Sequence, residues 1–209
     1  MVVTSTKNTK KTFPRFGHLT ILVVILLAAL AIRIYDISDL PFDFHPSRQI
    51  YTAILARGRF YQELESAPQW QRDMAVRLWQ KEDYEPPFMD GLAAISYRLI
   101  GEEVLWVPRL FSAIFWVLGG IGIYLLAREL TSDAGGLAAI AFYLFLPYGV
   151  IASRSFQPDP LMTALIIFAW WSIYRWAQNH RLKWVILAGI FSGLALLVKA
   201  LAVFAIAGG

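Results

Sequence analysis

The chain contains no cysteine, which excludes disulfides, thiolate metal sites and a cysteine nucleophile. Charge is also scarce: Asp, Glu, Lys and Arg make up 16% of the residues, where soluble domains carry about a quarter. No glycine-rich phosphate loop of the dinucleotide-binding or P-loop kind is present, and no internal repeat or low-complexity tract. The pairs Gly119-Gly120 and Gly135-Gly136 read as helix-packing or turn features. What the chain has instead is apolar surface. It is 57% hydrophobic with a mean hydropathy of +0.52, and its eight Trp, nine Tyr and fourteen Phe suit rings placed at membrane–water interfaces. The net charge of +4 does not point to nucleic acid. The basic residues stand at the ends of apolar runs, where orientation in a membrane accounts for them.

A helix crossing a bilayer core of about 30 Å needs about 20 apolar residues. The pattern predicts an all-α, multi-pass transmembrane helical bundle with a long external loop of short interfacial helices. A basic tail over 1–15 carries Lys7, Lys10, Lys11 and Arg15 without an acid. The first span is expected over 16–36, the external loop over 37–104, and four further spans over about 110–127, 134–153, 160–177 and 184–207. Arg175, Arg181 and Lys183 between the last two spans, and Arg128 after the second, fall on the same side as the tail. The excess of Lys and Arg makes that side cytoplasmic. The N-terminus also admits a signal-peptide reading, with Ala29-Leu30-Ala31 as a cleavage-like triplet, although Arg33 and Asp36 follow it directly.

The 37–104 segment holds eleven acids and seven basic residues. Helical spacing predicts helices over 46–61 with Pro46 near its start, over 67–79, and over 88–100 stopped by Gly101. Asp43 follows the first span within Pro41-Phe42-Asp43-Phe44-His45-Pro46. A carboxylate among rings at a membrane surface can serve as a general base; the competing reading is a cap or turn carboxylate. His45 reads as a proton partner, ligand or capping residue, and Arg48 as a phosphate partner, a partner of Asp43 or a solvated cation. Asp159 precedes Pro160, which suits a helix N-cap as well as a site beside Arg154. Lys199 lies about 22 Å along the last span from Trp184 at about 1.5 Å per residue. It is read as phosphate-facing or as snorkelling to headgroups.

Taken in order, these residues resemble the N-terminal part of a GT-C glycosyltransferase, of the protein mannosyltransferase and aminoarabinose transferase group. The resemblance rests on Asp43 after the first span, Ala56-Arg57-Gly58, Glu85-Pro86-Pro87 and Gly101 before Trp106 and Arg109. Tyr124-Leu125-Leu126-Ala127-Arg128-Glu129-Leu130, Arg154 with Asp159, and Gly193-Leu194-Ala195-Leu196-Leu197-Val198-Lys199 complete it. Phe44 stands where members commonly carry a second carboxylate. Members are also typically more than twice this length, so the chain is expected to be truncated at its C-terminus, with its activity alone left open.

The resemblance implies transfer of a sugar from a polyprenyl-phosphate donor to a protein, lipid or glycan acceptor on the external face of a bacterial plasma membrane. Asp43 and Asp159 would be the catalytic carboxylates, and Lys199, Arg48, Arg154 and His45 the lipid-phosphate or substrate-binding residues. No cofactor and no metal site is expected, with a divalent ion left open. Membrane lipids are partners and nucleic acid is not. The alternatives are a non-catalytic membrane scaffold or a transporter component.

Overall fold

A computed structural model of the chain describes residues 15–79 and 86–208. The tail residues Lys7, Lys10 and Lys11, and Glu85 of the Pro-Pro motif, lie outside them. The described residues are helical, with no strand: α1 Arg15–Ile34, α2 Pro46–Gln62, α3 Gln69–Trp79, α4 Phe88–Ile100, α5 Trp106–Leu130, α6 Asp133–Phe145, α7 Pro147–Ala152, α8 Asp159–Asn179, α9 Leu182–Val198 and α10 Ala202–Ala207. Two of them, α1 from Gly17 and α5, are long and apolar enough to cross a membrane; α6 and α9 are apolar but shorter. Large apolar side chains stand outward along them, among them Leu27 at 62% exposed and Phe142 at 71%. So much apolar surface is stable only against lipid or another apolar partner.

The apolar helices form one layer. α5 packs on α6 and α8, α8 packs on α9, and α1 lies against α5 and α6. Glycines on α5 permit the approach. A Cβ at Gly120 would stand 2.9 Å from Leu144 Cδ2, and one at Gly122 would stand 2.7 Å from Ile167 Cγ2. The second layer is α2 with α3 and α4, at the positions the helical spacing predicts. Its core is Ala56, Phe60, Met89, Ala93, Ala94 and Tyr97, closed by Phe156. Burial, with Glu103 nearby adding to it, holds the Tyr97 phenol above its usual range, and the hydroxyl has no partner. Gly101, at φ 92, ends α4 in the left-handed region, where glycine meets no Cβ penalty.

Two segments expected as continuous helices are broken. The 134–153 segment divides at Leu146, whose ψ is 124, because the residue before a proline is driven from the helical region; Pro147 then starts α7. The freed end of α6 is held by Arg33, fully buried, which donates to Leu144 O at 2.8 Å, Ala29 O at 2.9 Å and Ser153 Oγ at 2.7 Å. The guanidinium thereby satisfies a carbonyl left over by the break. The 184–207 segment divides at Lys199, whose backbone is extended (φ −158, ψ 121).

Candidate functional site

The site lies where the loop between α1 and α2 meets the turn between α7 and α8. Two buried side chains join them. Gln49, on the buried face of α2, donates from Nε2 to Phe44 O at 2.7 Å and to Asp43 Oδ1 at 3.3 Å, while its Oε1 accepts from Phe156 N at 2.8 Å. Arg109, in the first turn of α5, donates from Nε to Arg154 O at 2.9 Å, from Nη1 to Ile37 O at 2.9 Å and from Nη2 to Asp43 Oδ2 at 3.0 Å. Its side chain is 1% exposed against 36% for Asp43. The planar fork of arginine suits such divided donation, and the carboxylate offsets a charge that would be costly to bury alone.

Beneath this junction is a cavity of about 390 Å³, lined by Phe44, His45 and Arg48 from one side and by Asp159, Pro160, Thr163 and Lys199 from the other, with Trp116 and Gln157 in its wall. Four of the residues expected from sequence (His45, Arg48, Asp159 and Lys199) therefore meet in one space. Asp43 stands next to it, one residue before Phe44, and is not among the lining residues. Arg154 is not brought in: its Nη2 donates to Tyr35 O at 2.5 Å, so the guanidinium faces the α1 end.

Lys199 Nζ donates to Asp159 Oδ1 at 2.9 Å and to Oδ2 at 3.1 Å. Asp159 opens α8 but does not cap it. The cap position is Pro158, with no side-chain cap bond, and the carboxylate serves the ammonium instead. That pairing accompanies the break at Lys199 and supplies what a lysine among apolar helices needs, an anion, water or headgroups. An ammonium has three donors and Asp159 engages at most two, which leaves one for the cavity. His45 is the N-cap of α2 with φ 46 and no side-chain cap bond. A non-glycine residue in the left-handed region is strained, and here the strain turns the chain at the cavity rim, where the His45 ring meets Phe44 edge-on at 4.4 Å. Arg48 reaches over the Tyr51 ring at 5.8 Å. No group of three His, Asp or Glu gathers in a way that would hold a metal ion among the described residues.

Neither Gln49 nor Arg109 is among the site residues expected from the sequence. Gln49 did leave a signal: it is a polar residue on the same helical face as Ala56 and Phe60, which are buried. Arg109 stands out only through the resemblance, as the cation after Gly101 and Trp106; by its position alone, a cation at the start of an apolar run ordinarily snorkels.

Residues 84–208 match the family described as dolichyl-phosphate-mannose-protein mannosyltransferase. The match covers more than half of the chain. The chain belongs to that family. No curated protein and no solved structure matches it. Membership in the mannosyltransferase family carries the coarse assignment, a membrane-associated glycosyltransferase, and it includes Asp159 and Lys199 within the matched stretch. Asp43, His45 and Arg48 precede that stretch, so their part in the site rests on geometry.

Proposed function

We propose that the protein transfers a sugar from a polyprenyl-phosphate donor to an acceptor hydroxyl on the external face of a bacterial plasma membrane. The observation that carries this reading is the Lys199–Asp159 pair in the wall of a cavity roofed by the loop that bears Asp43. Asp43 takes the acceptor's proton as its oxygen attacks the anomeric carbon. The bond from that carbon to the phosphate oxygen breaks, and the carrier phosphate leaves with the electron pair. Lys199 and Arg48 stabilise the growing charge on the phosphate, and Asp159 holds the ammonium at the cavity. His45 lines the same space at the acceptor side. Arg109 and Gln49 fix the Asp43 carboxylate while leaving a third of it exposed.

In this reading the apolar layer is a multi-pass bundle. The tail and the 180–183 connection are cytoplasmic, and 37–104 is external. The break at Lys199 lies where irregular backbone lines the cavity, and the break at Leu146 is satisfied within the protein by Arg33, the situations in which irregular backbone is tolerated at membrane depth. Membrane lipids, the lipid-linked sugar and a protein, lipid or glycan acceptor are the partners.

The test is a split of kinetic constants with the full-length protein in liposomes. Lys199→Met is expected to raise the donor KM with the protein still inserted. Asp43→Asn is expected to lower kcat by about 10²–10⁴-fold with donor KM nearly kept. Unchanged donor dependence in Lys199→Met would reduce that lysine to a structural partner of Asp159.

A further inference from the structure

Beyond the charged pair, the cavity wall holds two neutral donors without partners. Gln157 is 5% exposed and lies in the turn before α8. Its backbone is fixed by its own N–H to Ser155 O at 2.9 Å and by the bond from the neighbouring Phe156 N to Gln49 Oε1. Its carboxamide Nε2 is buried and bonds to nothing. Trp116 is held just as firmly. Its ring stacks on Tyr143 at 4.9 Å and 7°, and Gly149 leaves room for it, since a Cβ there would stand 3.1 Å from Trp116 Cζ2. Its indole Nε1 is likewise unpaired.

Buried donors without acceptors are costly, and these two sit on side chains that line one cavity, beside space that the oxygens of a ligand would fill. A phosphate is already served by Lys199 and Arg48. Neutral N–H groups suit the lone pairs of hydroxyl oxygens. Phe44 and Tyr148 meet edge to face at 5.6 Å on the same cavity, and Tyr148 is 64% exposed. Rings so placed present apolar faces to the C–H side of a sugar ring.

We infer that Gln157 and Trp116 are specificity-determining residues that read hydroxyls of the donor sugar, an inference that rests on the donor reading above. The sugar they suit is neutral and hydroxylated. An ammonium-bearing sugar would set donor against donor, and Asp159, the one carboxylate lining the cavity among the described residues, is already engaged by Lys199.

The test is binding to the full-length protein of four probes: bare polyprenyl phosphate, polyprenyl-phosphate hexose, its single-deoxy analogues and an amino-sugar analogue. For the wild type, the hexose is expected to bind more tightly than the bare carrier, with at least one deoxy position losing about tenfold or more. The amino analogue should bind no better than the bare carrier. In Gln157→Leu and Trp116→Phe the deoxy discrimination collapses while the bare carrier binds as before. Gln157→Leu should be no less stable than the wild type, because it removes an unpaired donor. Wild-type discrimination in both variants, tight binding of the amino analogue, or a marked loss of stability in Gln157→Leu would overturn the inference. Failure of the bare carrier to bind, or binding untouched by Lys199→Met, would instead overturn the donor reading beneath it.

Discussion

Arg33 and Arg109 are the largest fully buried side chains among the described residues, and both are satisfied mainly by backbone carbonyls. Only Arg109 has a carboxylate partner, and that partner is the proposed base. Asp43→Asn keeps an acceptor oxygen toward Arg109 but removes its counter-charge, which costs stability; its loss of turnover counts as chemical where the variant still unfolds cooperatively above the assay temperature. Tyr97 offers the opposite case. Its buried hydroxyl has no partner, and removing an unpaired polar group is nearly neutral or stabilising. Tyr97→Phe is expected to keep or raise the thermal midpoint in detergent, and a loss of more than about 1 kcal/mol would reveal a hydrogen bond to that hydroxyl. At this scale the sequence displayed the lone charges Asp43, Asp159 and Lys199, because ionisable groups beside apolar runs are conspicuous. It concealed that Asp159 and Lys199 are partners, 40 positions apart, because no periodicity links them.

The helices differ in how much packing their sequences reveal. The pattern around Pro46 and Gly101 marked α2 and α4 closely, since proline starts and glycine ends carry local signals. The breaks at Leu146 and Lys199 did not emerge from hydropathy, which reads through a proline or a lysine in an otherwise apolar run. Glycines show the same divide. Gly122 faces Ile167 at a distance that no Cβ tolerates, whereas Gly189 has nothing within 4 Å. Gly122→Val is therefore expected to destabilise the protein by about 1–3 kcal/mol through overpacking, while Gly189→Ala should be neutral or mildly stabilising. Equal unfolding midpoints for the two variants would mean that α5 does not pack on α8 as described.

The whole molecule divides into an apolar layer and a polar-faced layer of short helices, with the cavity where they meet. Absence of native cysteine makes its sidedness directly measurable. Ser66→Cys, in the exposed turn between α2 and α3, is expected to react with an impermeant thiol reagent from outside. His180→Cys, between α8 and α9, should react only when the inner face is opened. The reverse pattern would invert the topology and move the cavity to the cytoplasmic side. The most direct measurement of the central claim is sugar transfer in sealed, oriented liposomes by the full-length protein, with polyprenyl-phosphate sugar in the bilayer and an impermeant acceptor on one side. Product is expected only on the face where Ser66→Cys is labelled, and almost none with Asp43→Asn. Product on the opposite face, or wild-type transfer by Asp43→Asn, would contradict it.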